Sequence, residues 1–279
     1  MKRYASLFVK WLIPGNKHNG HLDFLLEKGI PPEVGLQHGG SDFSAAEHKE
    51  TAARIKDHGL ACAIHLPFYD VVPGSADRKV QAKSRDILLR AVEIAEWYGA
   101  DHLIGHPEFY PPDDSLLAQG RREQDAADRP TEIWLEQSVK AWGEVMQNTG
   151  SRLYLENTND QTPEAILTLL ERLPDQAAMC FDIGHWFMAA DGIGLNNLPE
   201  WLTAVAPRLG HLHLHDNHGQ ADEHLGIGQG LIDYGPFLNF LAEHNLRPSY
   251  TLEAHQIIQL SHSLGWLENL PRGTALSFP

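Results

Sequence analysis

Short apolar runs alternate with segments of helical spacing along the 279 residues, and this alternation limits the possible folds more than any other feature. The strand-like runs are Tyr4–Leu12, Glu33–Leu36, Leu60–His65, His102–His106, Arg152–Glu156, Ala177–Asp182, Gly210–His215 and Ser249–Glu253. Between them fall Leu22–Lys28, Ala45–His58, Val80–Tyr98, Glu132–Gln147, Pro163–Arg172, Leu198–Val205, Tyr234–His244 and Gln256–Asn269. Eight strand–helix units in this length predict an α/β chain folded as a (β/α)8 barrel, one domain over residues 1–279. A doubly wound sheet is the other fold open to such a pattern, but no glycine-rich dinucleotide turn follows the first run. The sequence offers no linker, low-complexity stretch or residue-level repeat that would mark a second domain.

The polar residues gather where a barrel builds its active site, at the C-terminal ends of the strands. The third run ends in His65-Leu-Pro-Phe68, the fourth in Gly105-His106-Pro107, the fifth in Leu155-Glu156-Asn157. The sixth ends in Phe181-Asp182-Ile-Gly-His185 and the eighth in Leu252-Glu253-Ala254. The seventh is the densest: His211-Leu-His-Leu-His-Asp-Asn-His218, then Asp222-Glu-His224 and Gly226-Ile-Gly-Gln-Gly230. Strand periodicity places His211, His213 and His215 on one face and Leu212 and Leu214 on the other. Alone, each polar residue has a plainer role: His65 or His106 as a capped strand end, Asp182 as a helix cap, Glu156 or Glu253 paired with an arginine. Together they would form a self-repelling rim of carboxylates, with few arginines nearby in the chain, so a bound cation is the economical explanation.

Composition narrows the class. With 42% hydrophobic and 21% charged residues the chain can bury a sizeable core. The 17 histidines stand out, and the formal charge of −15 argues mildly against a broad surface for polyanions. Three divalent ions would reduce that charge to about −9 and concentrate positive potential at the rim. Cys62 and Cys180 lie in separate apolar runs, as reduced buried thiols do, which predicts a cytoplasmic protein without a disulfide framework. Lys10 interrupts the apolar N-terminal run that would otherwise read as a signal peptide, and no run is long enough to span a membrane.

The succession His-x-Pro-Phe, Gly-His-Pro, Leu-Glu-Asn-Thr, Asp-x-x-His, His-x-x-Asp, Asp-x-His before Gly-x-Gly-x-Gly, and a final Leu-Glu resembles the xylose isomerase-like TIM barrels from about Leu60 to Glu253. That superfamily includes endonuclease IV (AP endonuclease family 2) and many sugar-phosphate isomerases and epimerases. The endonuclease IV pattern implies one zinc ion among His65, His106 and Glu156. Glu156 would bridge to a second ion held also by Asp182, His213 and Glu253, and a third would take His185, Asp222 and His224. Manganese or cobalt would suit the same donors. The simplest epimerases need only the equivalents of Glu156, Asp182, His213 and Glu253. The spacing to Asp216 selects His213 within the resemblance, whereas strand parity admits His215 equally.

Two chemistries fit such a site. A metal-bound hydroxy-carbonyl sugar or sugar phosphate could lose and regain a carbon-bound proton between Glu156 and Glu253, as in an isomerase or epimerase. Two or three ions could instead generate hydroxide for phosphodiester hydrolysis, the endonuclease IV-like alternative. The rim loop His38–Phe43 carries no arginine and one acid, which weakens the nucleic-acid reading. Phe68 and Tyr69 could serve as a base-stack wedge, a sugar platform or plain packing. The long insertion Glu108–Pro130, with Arg121 and Arg122, is the candidate cover for substrate. The expected partner is a small-molecule sugar or sugar phosphate rather than a nucleic acid or a membrane.

Overall fold

The computed structural model describes residues 7–12, 21–36, 43–107, 132–158, 160, 162–189, 197–254, 256–271 and 274–276. Eight parallel strands close into a barrel in chain order: β1 Leu7–Leu12, β2 Pro32–Gly35, β3 Ala63–His65, β4 His102–Gly105, β5 Arg152–Glu156, β6 Ala177–Asp182, β7 Leu209–Leu214 and β8 Ser249–Leu252. β1 closes the ring on β8, with Leu7 beside Tyr250 and Val9 beside Leu252. The helices are α1 His21–Lys28, α2 Ala45–Asp57, α3 Arg78–Tyr98, α4 Glu132–Gln147, α5 Glu164–Arg172, α6 Ile183–Ala189, α7 Leu198–Val205, α8 Tyr234–Glu243 and α9 Ile257–Glu268. Among the described residues no helix is long and apolar enough to cross a membrane.

Local chemistry explains most boundaries. Ser44 and Glu47 form a reciprocal capping box that starts α2, and Asp77 accepts from the Lys79 and Val80 amides to start α3. α5 shows the packing rule plainly: Ile166, Leu169 and Leu170 fall on its inner stripe and are buried. Each such side chain contributes roughly 1.5–3 kcal/mol. The third strand is shorter than its apolar run, because the Leu60 amide is used on the Ile55 carbonyl to close the end of α2. α6 has no counterpart in the sequence reading. Ile183, Gly184, His185, Trp186, Phe187 and Ala189 are all buried, so it lacks the polar face that makes a helix visible as a periodic pattern.

The two faces of the strands divide the molecule. On β1, Leu7, Val9 and Trp11 belong to the apolar core shared with the helices. The alternate residues turn into the barrel, where Phe8 packs on His102 and His211 and Lys10 reaches Glu33 and Glu253. Barrel interiors are usually filled by branched aliphatic side chains. Here, among the described residues, a small apolar group of Ile104, Tyr154 and Cys180 accompanies Phe8 in the interior, with Tyr154 packed on His102 and His211.

Candidate metal centre

The structure brings all nine candidate residues together at the C-terminal mouth of the barrel. His65 ends β3, Glu156 ends β5, Asp182 ends β6, and His213 lies near the end of β7. His106 and Glu253 follow β4 and β8 directly, and His185 sits in the first turn of α6. His65 and His106 direct their Nε2 atoms at one oxygen, Glu156 Oε2, at 3.1 and 3.2 Å. His213 Nδ1 lies 3.1 Å from Glu156 Oε1, 3.4 Å from Glu253 Oε1 and 3.8 Å from Asp182 Oδ2. His185 and His224 converge through Nε2 on Asp222 Oδ2, at 3.3 and 2.8 Å. His185 Nδ1, 3.3 Å from Glu156 Oε1, joins this last group to the others.

The rest of the chain fixes these side chains from behind. His65 donates from Nδ1 to the Leu66 carbonyl, His185 to that of Asn157 and His224 to that of Glu253, so each turns Nε2 toward the centre. Asp182 has two tasks: its Oδ1 accepts the His185 amide at 2.7 Å, capping α6, while Oδ2 faces the centre. Asn157 ties β5 to β6 by exchanging two 2.9 Å bonds with the backbone of Asp182. His224 adopts a left-handed backbone, φ 48°, uncommon for a residue with a side chain and frequent at constrained sites.

The glycine-rich stretch after β7 folds around a carboxylate of the chain itself. Asp216 is fully buried and accepts the Gly228 amide at 2.8 Å, the Ile232 amide at 3.1 Å and the Asn217 amide at 2.9 Å. Gly228 has φ +86°, and a Cβ on Gly230 would come within 2.4 Å of Asp216 Oδ1. These glycines let the backbone wrap the protein's own carboxylate. A bridge between Asp216 and Leu225 then brings Asp222 and His224 back over the mouth.

Three buried residues beyond the nine join the site, two of them, Lys10 and Glu33, from outside the motifs and the third, His215, the one strand parity left open beside His213. Lys10, an interior position of β1, pairs with Glu253 and with Glu33, its Nζ 3.1 Å from Glu33 Oε1. Glu33 of β2 accepts His213 Nε2–H at 3.2 Å and the Thr251 hydroxyl at 2.6 Å. Since Thr251 gives its proton to Glu33, it accepts from His211 Nε2–H at 2.9 Å, and His211 Nδ1 accepts from Ser249 at 2.7 Å. His211 is thus a hydrogen-bonded strut, held neutral by burial, which lowers its pKa to about 3. His215 is the third, buried beside Asp182 and Asp222. Parity would have exposed Lys10 and Glu33: each is a charge inside a buried strand, out of phase with its apolar neighbours.

Electrostatics favours charge at the centre. Burial pushes Glu156 upward, but positive charge on His213 and His106, with a hydrogen bond from His106, holds it well below the usual carboxylate range. Burial likewise opposes ionisation of Glu253, and Lys10, His213 and His224 outweigh it. Burial lowers His185, yet Asp182, Asp222 and Glu156 raise it well above its ordinary value. Each carboxylate there is stabilised by a neighbouring positive charge, which a divalent ion would supply equally.

The donor set fits a metal. Glu156 Oε1, Asp182 Oδ2, His213 Nδ1 and both His215 nitrogens are buried and make no hydrogen bond among the described residues. They fall in groups whose donor atoms lie within 4.8 Å of one another: Glu156, Asp182, His213 and Glu253; His65, Glu156 and His213; His185, His215, Asp222 and His224. Phe68 backs the first histidines, stacked on His106 at 4.8 Å and edge-on to His65 at 5.6 Å, while Tyr69 leans on Phe68 and is 54% exposed. The stretch Glu108–Pro130, with Arg121 and Arg122, and all of the His38 loop except Phe43 lie outside the described residues.

The fold agrees with comparisons to known proteins. The model of the xylose isomerase-like TIM barrel family matches residues 30–270, and the chain belongs to that family. An uncharacterised protein of Methanocaldococcus jannaschii is 25% identical over 212 residues, covering 73% of this chain and 68% of that protein. A probable endonuclease 4 of Mycobacterium marinum is 27% identical over 196 residues, 68% of this chain and 72% of that one. A crystal structure of a D-tagatose 3-epimerase-like protein superposes with a TM-score of 0.74 at 20% identity, covering 94% of this chain and 96% of that one, a likeness of fold.

Proposed function

We propose that the protein is a divalent-metal-dependent isomerase or epimerase of a sugar or sugar phosphate. The observation that carries the reading is the convergence of Glu156 and Glu253, from nearly opposite sides of the barrel, on His213 Nδ1 at 3.1 and 3.4 Å, with Asp182 in the same group. Glu156, Asp182, His213 and Glu253 would hold the ion central to the reaction, with further ions on His65 and His106 and on His185, Asp222 and His224. Zinc suits this mixture of imidazole and carboxylate, and manganese or cobalt would also be accepted. When bound, such an ion polarises a carbonyl and its neighbouring hydroxyl and acidifies the hydrogen between them.

The chain's own groups supply the proton transfer. Lys10 keeps Glu253 ionised and ready to accept a proton, and His65 and His106 hold Glu156 across from it. A proton removed on one face by one glutamate, with a second proton delivered on the other face by the other glutamate after it has taken one from solvent, inverts the carbon, whereas return of the first proton to the neighbouring carbon isomerises the sugar. Tyr69 at the mouth offers an exposed aromatic surface for a sugar ring. The free, buried thiols of Cys62 and Cys180 are in keeping with a cytoplasmic enzyme.

The second reading, an endonuclease IV-like phosphodiesterase, is favoured by the presence of all nine positions in one cluster and by the mycobacterial relative. Deuterium from heavy water separates the two. A proton-transferring enzyme washes label into the carbon beside a substrate carbonyl when ketoses, aldoses and their phosphates are screened, and Glu253→Gln with its metal content verified loses the exchange. Metal-dependent cleavage of an abasic-site oligonucleotide, with neither exchange nor sugar product, would establish the phosphodiesterase instead.

A further inference from the structure

We infer that His215 is a fourth protein ligand at the outer edge of the mouth, so that His185, His215, Asp222 and His224 make a closed, zinc-selective structural site. The inference rests on the reading of the mouth as a metal centre and goes beyond it by separating one ion from the chemistry. His215 is 1% exposed and neither ring nitrogen has a hydrogen-bond partner among the described residues, an arrangement costly to an imidazole unless something else satisfies it. Its Nε2 lies 3.2 Å from Asp182 Oδ1, already taken by the His185 amide, and 3.6 Å from Asp222 Oδ1; its ring stacks on His224 at 4.2 Å and stands edge-on to His185 at 5.6 Å. Each of the four side chains offers a donor atom within 4.8 Å of the others.

The chain is shaped to keep the ring there. Gly184 provides the space, since a Cβ at that position would lie 2.1 Å from His215 Cε1. Tyr234 anchors the strand end by donating its hydroxyl to the His215 carbonyl at 2.8 Å. The donor chemistry sets this group apart. Three imidazoles and one carboxylate form a nitrogen-rich tetrad that prefers zinc to magnesium or calcium, and four protein ligands leave a tetrahedral ion no open position. The carboxylate-rich groups around Glu156 are therefore left to meet substrate. An ion enclosed by His215 could not offer a vacant position to a phosphate ester, which bears directly on the choice between the two chemistries.

The test uses the full chain loaded with zinc. Stepwise removal with a chelator, followed by elemental analysis, should leave one tightly held ion per chain. X-ray absorption of that one-zinc form should show three imidazoles and one carboxylate oxygen at about 2.0–2.1 Å. His215→Asn should weaken the retained ion by at least the roughly 10–100-fold that loss of even an outer-shell partner causes. Gly184→Ala, which removes no donor but displaces the ring, should shift retention in the same direction, and the more readily removed ions should bind as before in both variants. Retention unchanged within about twofold in His215→Asn, or a weakened carboxylate-rich ion instead, would assign His215 to orienting Asp182 and overturn the inference. A one-zinc form dominated by carboxylate would overturn it as well. Neither readout involves exchange on a sugar, so failure of the epimerase reading would leave this result standing.

Discussion

Lys10 shows how one residue can carry two opposite readings. In the linear chain it is the charge that breaks an apolar N-terminal run, and in the fold it is a buried cation between Glu33 and Glu253. Removing one member of such a group leaves a buried charge unmatched, a loss of about 3–5 kcal/mol. Lys10→Met should therefore lower the melting temperature strongly in chelator and much less in excess zinc, where an ion offsets the freed carboxylates. Equal losses in both conditions would show that Lys10 acts through packing alone. His21 supports a second prediction, free of the metal centre. Burial lowers its pKa from 6.5 to about 4, so the unfolded chain binds the extra proton between those values. Its contribution is complete above pH 6.5 and is lost as pH falls toward 4. Urea titrations at pH 7 and pH 5 should show wild type losing about 2 kcal/mol more than His21→Gln.

Among the elements, the loop from Asp216 to Ile232 has the clearest internal logic. One carboxylate receives three backbone amides and thereby sets the return path that carries Asp222 and His224. Asp216→Asn keeps the shape but gives up the charge and half the acceptor capacity, so amide exchange at Gly228 and Ile232 should accelerate at least tenfold while α3 and α4 stay protected. Unchanged exchange would mean that the glycine turn holds itself. The elements were also where sequence proved most informative. Arg152–Glu156 and Ala177–Asp182 match their strands residue for residue, because a short apolar run between helical patterns has few other structures open to it. α6 escaped because it begins immediately after Asp182 and is buried on nearly every side, so that it has no polar face. The nine polar positions were legible as spaced motifs at strand ends. Glu33 was not, since its role depends on His213, which lies 180 residues away and faces it only once the barrel is closed.

For the whole molecule, the closed ring has a consequence for the order of events. Lys10 and Glu253 are separated by 243 residues and meet only where β1 pairs with β8. The group of Glu156, Asp182, His213 and Glu253 likewise draws on β5, β6, β7 and the end of β8. Such distant contacts form late, after the loop entropy of the intervening chain has been overcome. A nascent chain still lacking its eighth strand has no Glu253 to complete that group. An ion held by Glu253 together with Glu156, Asp182 and His213 would thus enter after ring closure, a latch that only a finished barrel can accept.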